Sequence, residues 1–163
     1  MTTTTATEYF TFSIQRTYDA PSARVFRALT NVDEKAKWFS GPPGQFTPLE
    51  RTIDLRVGGK ERLKGAWSDG STTDFQAIYC DIVPDSRLVY TYDMYVNARR
   101  ISVSLATVVL TPVGARTQLD FTEHVVYLDT YPTEEDRRRG STGIEDRKLG
   151  SEMLFDLLRG YLQ

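Results

Sequence analysis

Two glutamates are the residues of this sequence best suited to chemistry, because the pattern predicts that both point toward apolar surroundings. Glu123 follows Leu119 and Phe121 at steps of two, so on an extended strand all three share one face. Glu61 stands in the same relation to Leu63. A carboxylate on a buried face is costly unless it is paired, hydrogen-bonded or protonated. Two such carboxyls in one pocket could serve as an acid and a base.

A plainer alternative keeps both carboxylates out of any pocket. Each glutamate lies near the end of its segment, where it could reach water or pair with Arg62, Arg99 or Arg100. A bulge after Phe121 would also turn Glu123 to the opposite face. The pattern is compatible with both interpretations.

Other reactive side chains are sparse. His124 is the single histidine and is expected on the solvent face, opposite Glu123, where it cannot build a metal site alone. Cys80 is the single cysteine, so an internal disulfide is excluded, and its apolar neighbours predict an inert buried thiol. Gly58-Gly59 and Gly41-Pro-Pro-Gly44 do not open helices with the Lys and Ser/Thr of a phosphate loop. We therefore predict no cofactor and no metal.

The amino-acid composition limits the kinds of partner that this protein could bind. The 163 residues suit one domain, which we place at 8–163, with 1–7 expected to be disordered. Lys plus Arg number 20 against 22 for Asp plus Glu, so no basic excess exists to follow a phosphate backbone and nucleic acid is not expected. No apolar run has membrane length, which predicts no membrane insertion and a cytoplasmic location.

The elements that must position the glutamates are mostly strands. Alternation between turn signals such as Asp69-Gly70 and Asn97-Ala98 predicts seven antiparallel strands in sequential order. They are expected at 9–18, 53–57, 60–68, 72–83, 87–96, 100–111 and 116–127. Two short helices follow the first strand, one with Pro21 at its first position and one at 33–38. The stretch 129–143 is predicted to be a charged surface loop, in which 137–139 balance the acidic residues 134–136.

A long amphipathic helix closes the chain at 144–162 and needs a surface to lie on, for which the sheet is the obvious candidate. Its apolar stripe consists of Leu149, Met153, Leu154, Leu157, Leu158, Tyr161 and Leu162. Gly150 interrupts that stripe, at a cost of about 1 kcal/mol relative to Ala. We therefore expect sheet backbone or a bound molecule to pass close to the helix at Gly150.

A bent sheet wrapped around one helix leaves room for a cavity between them, and apolar or aromatic cavities hold small molecules. Leu88, Tyr90, Tyr92 and Met94 share one face of their strand and could line such a cavity or belong to a plain core. The predicted ligand is small and apolar or aromatic. The residues predicted to line its site are Trp38, Glu61, Leu63, Tyr90, Tyr92, Met94, Phe121, Glu123 and Met153.

The order of elements and several motifs resemble the START-like, helix-grip superfamily, which includes polyketide cyclases. The motifs are Tyr18-Asp-Ala-Pro21, Trp38-Phe39, Asp54-Leu-Arg-Val-Gly-Gly-Lys-Glu61, Asp81-Ile-Val-Pro84, Arg87-Leu-Val-Tyr-Thr-Tyr-Asp-Met94, Phe121-Thr-Glu123 and Gly150-Ser-Glu-Met-Leu-Phe-Asp156. Together they are most similar to the bacterial branch related to the activator of heat-shock-protein-90 ATPase. The resemblance implies an α+β helix-grip fold, with a seven-stranded curved antiparallel sheet wrapped around the C-terminal helix. His124 stands where that branch commonly has Gln, and 129–143 is longer than usual.

Three functions are compatible with these observations. The first is a binding module, monomeric or homodimeric, that holds a small apolar or aromatic ligand. The second is a cyclase- or hydrolase-like enzyme that uses Glu61 and Glu123. The third is a co-chaperone-like interaction module, as the family resemblance implies. Binding is favoured over catalysis because no complete acid-base or nucleophile set can be identified, and one fold hosts many activities.

Overall fold

Seven strands and four helices make up the part of the chain that this computed structural model describes, residues 7–128, 131–138, 140–141 and 143–163. Of residues 1–7, which were expected to be disordered, residues 1–6 lie outside it. The elements are β1 Glu8–Tyr18, α1 Ser22–Thr30, α2 Val32–Lys35, β2 Phe46–Ile53, β3 Lys60–Trp67, β4 Thr72–Val83, β5 Arg87–Val96, β6 Arg99–Val113, β7 Arg116–Tyr127, α3 Glu134–Arg138 and α4 Ile144–Leu162.

All seven strands join one antiparallel sheet in the order β1-β7-β6-β5-β4-β3-β2. Hairpins connect the strands from β2 to β7, and β1 pairs with β7, so β1 and β2 form the two edges. The backbone of α4 lies closest to β1 and α1. The predicted α+β helix-grip fold is thus confirmed. No described helix is long and apolar enough to cross a membrane.

The hairpin turns occur where the turn residues predict them. Gly70 and Gly114 adopt positive φ angles of 86° and 62°, which glycine tolerates without strain. Asp85 and Asn97, with φ of 62° and 50°, are of the two non-glycine types that most readily adopt this conformation. Register shifts mark bulges in β2, β4 and β6, and bulges bend a sheet and increase its twist.

Strand β7 shows how the core is built. Its inward face carries buried residues at every second position: Thr117, Leu119, Phe121, Glu123, Val125 and Tyr127. The register with β1 and β6 runs without a shift from Phe121 to Glu123. No bulge therefore turns Glu123 outward, and it shares the core face with its apolar neighbours, as the spacing predicts.

The prediction for the second strand was wrong in its bounds. The strand is Phe46–Ile53, and the alternating Leu55 and Val57 that suggested a later strand are exposed. The chain after Ile53 instead forms a turn, in which the backbone N–H of Gly58 donates to the carbonyl of Tyr79. The second short helix is also shorter than predicted. It begins after Asn31, whose side chain accepts from two backbone N–H groups of the first turn, and it ends at Lys35.

The predicted loop at 129–143 contains helix α3, although residues 129, 130, 139 and 142 lie outside the described part. Arg138 pairs with Glu134 and Glu135, as the charge pattern predicts. Asp136 instead pairs across the fold with Arg99 at 2.8 Å. One acidic residue of this segment therefore ties it to β6 rather than to its own arginines.

Helix α4 has the predicted bounds, but only part of its apolar stripe is buried. Phe155 and Leu158 enter the core, whereas Leu149, Met153 and Leu157 are exposed. Leu154, Tyr161 and Leu162 are partly buried. The stripe is incompletely covered because open space, rather than a strand, lies beside the helix as far as Leu157.

Two further expectations about single residues were wrong. A Cβ built on Gly150 would meet nothing within 4 Å, so the expectation that sheet backbone passes close to the helix there is wrong, whereas the alternative of a bound molecule stays a prediction. Cys80 is exposed, because Tyr79 and Ala77 occupy the inward positions of β4 and Cys80 faces the other way.

Candidate functional site

A cavity of about 830 Å³ lies between α4 and the concave face of the sheet. Strands β3, β4 and β5 form its floor, α2 and the following 38–43 segment form one wall, and α4 forms the other. Exposed Gly150, Met153 and Leu157 border the cavity on α4, and we call them the mouth. The cavity exists because α4 rests on β1 and α1 at one edge of a curved sheet, leaving the middle strands uncovered.

All nine residues predicted to line a ligand site border this cavity: Trp38, Glu61, Leu63, Tyr90, Tyr92, Met94, Phe121, Glu123 and Met153. Trp38 is held in place by a hydrogen bond, in which its indole Nε1 donates to the Ala28 carbonyl at 2.9 Å. Met153 lies at the mouth and Phe121 lies under α4, where it contacts Phe155 with ring centroids 5.0 Å apart. Ligand binding by these residues stays a prediction.

Glu123 lies at the centre of a buried polar cluster. The Tyr92 hydroxyl donates to its Oε1 at 2.7 Å, and the Ser104 hydroxyl donates to its Oε2 at 3.3 Å. The guanidinium of Arg147 lies 3.2 Å from the same Oε2. Only 1% of the Glu123 side chain and 11% of the Arg147 side chain are exposed. This carboxylate is therefore paired and fully hydrogen-bonded.

Arg147 reaches from the first turns of α4 down to the sheet. Its guanidinium also donates to Tyr92 at 2.9 Å and to the Ser102 hydroxyl at 2.7 Å. Burial by itself lowers the pKa of Arg147, but the nearby Tyr92, Tyr127 and Glu123 outweigh it and raise that pKa above its ordinary value. The guanidinium thus stays charged, and it fixes the N-terminal half of α4 to β5, β6 and β7.

Glu61 forms the second buried cluster. The ammonium of Lys35 lies 2.6 Å from its Oε1, and the Tyr79 hydroxyl donates to its Oε2 at 2.6 Å. The Lys35 ammonium also lies 4.6 Å from the centroid of the Phe39 ring, at cation–π distance. Burial, followed by the charge of Glu61, raises the pKa of Tyr79. Tyr79 therefore remains a neutral donor.

The alternative partners considered for the two glutamates were wrong. Arg62 pairs with Glu50 and Asp74, Arg99 with Asp136, and Arg100 with Asp93. The sequence analysis missed Lys35 and Arg147. A signal existed for Arg147, since it precedes Leu154 and Leu158 by seven and eleven residues and so shares their helical face. Lys35 similarly precedes buried Trp38 by three residues.

His124 lies on the outer face, as predicted, and its Nδ1 is 2.8 Å from the Thr11 hydroxyl. Within the described residues, no group of three or more His, Cys, Asp or Glu side chains is placed to hold a metal ion. The buried polar groups that border the cavity are two cation–carboxylate pairs and three tyrosines set in an apolar wall.

A curved antiparallel sheet that holds a C-terminal helix across an internal cavity defines the helix-grip class of proteins. Residues 19–163 match the family model described as Activator of Hsp90 ATPase homolog 1-like protein, and the chain belongs to this family. No match is found among curated proteins.

Solved structures share this fold. A protein from Rhizobium leguminosarum is 36% identical over 98% of both chains, with a TM-score of 0.85. The Mll3558 protein from Rhizobium loti is 32% identical, covers 96% of this chain and 99% of its own, and has a TM-score of 0.82. An AHSA1-like protein from Aeromonas hydrophila is 19% identical over 93% of this chain and 91% of its own, and its TM-score of 0.68 shows a likeness of fold.

Proposed function

We propose that this protein binds a small, largely apolar or aromatic molecule in the cavity between α4 and the sheet. The observation that carries the proposal is the cavity itself, whose volume of about 830 Å³ falls in the range of small-molecule sites. Leu63, Tyr90 and Met94 supply apolar and aromatic wall. A few buried polar groups converge on it, as is typical of sites that orient a ligand.

Binding is favoured over catalysis by the state of the two carboxylates. Both oxygens of Glu61 are engaged, one by Lys35 and one by Tyr79. Both oxygens of Glu123 are engaged as well, by Tyr92 and Arg147. A general base needs an oxygen within hydrogen-bond reach of a substrate proton, and here each oxygen already has a close partner. The two ion pairs are therefore structural parts of the cavity wall around the ligand. We further propose that the protein acts in the cytoplasm, a compartment that would keep the exposed thiol of Cys80 reduced.

The methionines offer a direct test, because two of the three in the chain line the cavity. Protein labelled with ¹³C at the methionine methyl groups is titrated with N-phenyl-1-naphthylamine, an uncharged aromatic probe. We expect the Met94 and Met153 signals, assigned with Met94→Leu and Met153→Leu, to shift and saturate together.

A matched control is Leu105→Met, which puts a reporter methyl at an exposed position on the outer face of β6. Its signal is expected to stay in place during the titration. The proposal fails if the Met94 and Met153 signals do not shift, or if the Leu105→Met signal shifts to the same extent at the same probe concentrations.

A further inference from the structure

Three tyrosines stand side by side on the floor of the cavity. Tyr79 of β4 lies directly opposite Tyr90 of β5, and Tyr92 is the next inward residue of β5. The Tyr90 ring centroid lies 6.3 Å from that of Tyr79 and 6.2 Å from that of Tyr92. The two outer phenols donate to Glu61 and Glu123, at 2.6 and 2.7 Å. Tyr90 therefore stands between the two buried ion pairs.

Tyr90, the middle tyrosine of the three, differs from its two neighbours in its hydrogen bonding. Within residues 7–128, 131–138, 140–141 and 143–163, the hydroxyl of Tyr90 forms no hydrogen bond, although its side chain lines the cavity. Every fully buried side-chain oxygen or nitrogen of the described residues has a hydrogen-bond partner. The Tyr90 hydroxyl has no partner among these residues, so it is not fully buried and is accessible from the cavity. Burial, and then the proximity of Tyr92, Glu61 and Glu123, raise the pKa of Tyr90 well above its ordinary value. Its O–H is thus available as a donor over the whole physiological range of pH.

The charges around Tyr90 cancel. Lys35 is paired with Glu61, and Arg147 with Glu123, so the buried ions that border the cavity are matched in charge. The other two charged residues on its border, Asp146 and Asp156, are exposed. An ionised ligand would lose its hydration without gaining a free counter-charge, which is costly in a buried site. An uncharged ligand avoids that cost. A polar oxygen on such a ligand needs one donor, and Tyr90 supplies it.

Building on the proposed function, we propose that Tyr90 is the hydrogen-bond donor that selects the ligand, and that the ligand is an uncharged apolar molecule carrying a carbonyl oxygen. The carbonyl accepts from the Tyr90 hydroxyl, while the rest of the molecule lies against the aromatic and aliphatic wall formed by Phe75, Leu63 and Met94. Phe75 packs directly on Tyr90, with ring centroids 6.5 Å apart, which holds the phenol in this position.

The test compares two probes of nearly equal shape, 2-acetylnaphthalene with a ketone and 2-isopropylnaphthalene without one. Each is titrated against the wild type and Tyr90→Phe, and the Met94 and Met153 methyl signals report the dissociation constant. We expect Tyr90→Phe to weaken the ketone about five-fold, in line with one neutral hydrogen bond, and to leave the hydrocarbon unchanged. Tyr9→Phe, which removes an exposed phenol on β1, is the control and should affect neither probe.

The outcomes separate this inference from the function on which it rests. If both probes bind the wild type and Tyr90→Phe weakens neither or both equally, the role of Tyr90 is refuted while cavity binding stands. If neither probe nor N-phenyl-1-naphthylamine shifts the methionine signals, both proposals fall. Because the Tyr90 hydroxyl has no partner among the described residues, Tyr90→Phe should unfold at the same temperature as the wild type. A large drop would show a structural role and overturn the assignment.

Discussion

The ion pair between Glu123 and Arg147 can be tested by removing its two partners singly and together. In Glu123→Gln the guanidinium keeps its hydrogen bonds to Tyr92 and Ser102 but loses its counter-charge. In Arg147→Met a carboxylate that is only 1% exposed is left with two hydroxyl donors and no cation. Removing one partner of a buried pair costs about 3–5 kcal/mol, so we expect about 3 kcal/mol for Glu123→Gln and about 4 for Arg147→Met.

The double variant should cost much less than the two single variants combined. Replacing both charges leaves no uncompensated ion in the cavity wall, and such replacements are often close to neutral. We therefore expect a coupling free energy of at least about 2 kcal/mol, measured from urea unfolding of the four proteins at pH 7.

A surface pair provides the control for this cycle. Arg87 and Asp81 lie 2.7 Å apart, but their side chains are 49% and 43% exposed. Asp81→Asn and Arg87→Met should couple by less than about 1 kcal/mol. If the effects of Glu123→Gln and Arg147→Met add to within about 0.5 kcal/mol, the buried pair is not coupled and our account of the cavity wall is wrong.

Two further predictions concern α4 and the buried tyrosines. Gly150→Ala should raise the free energy of unfolding by about 1 kcal/mol, and Tm by roughly 2–4 °C, because the helix gains propensity and the new Cβ meets nothing; a lower Tm in calorimetry would contradict this. Burial, partly offset by the nearby charge of Arg147, raises the pKa of Tyr127 to about 12, above its unfolded value near 10. Its contribution to stability is therefore complete below pH about 10 and is lost as the pH rises through about 12. Between pH 9 and 12, the free energy of unfolding measured with urea should therefore fall less steeply for Tyr127→Phe than for the wild type. If it falls equally steeply in both proteins, the raised pKa of Tyr127 is refuted.

Local sequence patterns predict those structural features that are determined by residues close together in the chain. The alternation along 116–127 places Glu123 on the buried face, because side chains of a regular strand alternate and no bulge intervenes. The bounds of β4, β5 and α4 follow from turn residues and periodicity in the same way. These are short-range properties, and each can be read from the residues that carry it.

The partners of the glutamates could not be predicted in this way. Lys35 and Glu61 are separated by an edge strand and several turns, so only the assembled fold brings them together. Apolar periodicity also does not distinguish a helical face that meets a sheet from one that meets a cavity. For that reason Leu149, Met153 and Leu157 were predicted to lie on the covered stripe of the helix, although they are exposed.

The position of the mouth has a consequence for how such a protein can diverge. Gly150, Met153 and Leu157 border the cavity but are exposed, whereas α4 is anchored by Phe155, Leu158 and Arg147. Substitutions at exposed positions usually change stability by less than about 0.5 kcal/mol. Under the proposed function, the residues that would meet an entering molecule can therefore vary while those that hold the helix stay constant, so that ligand selectivity and folding would evolve on separate sets of positions.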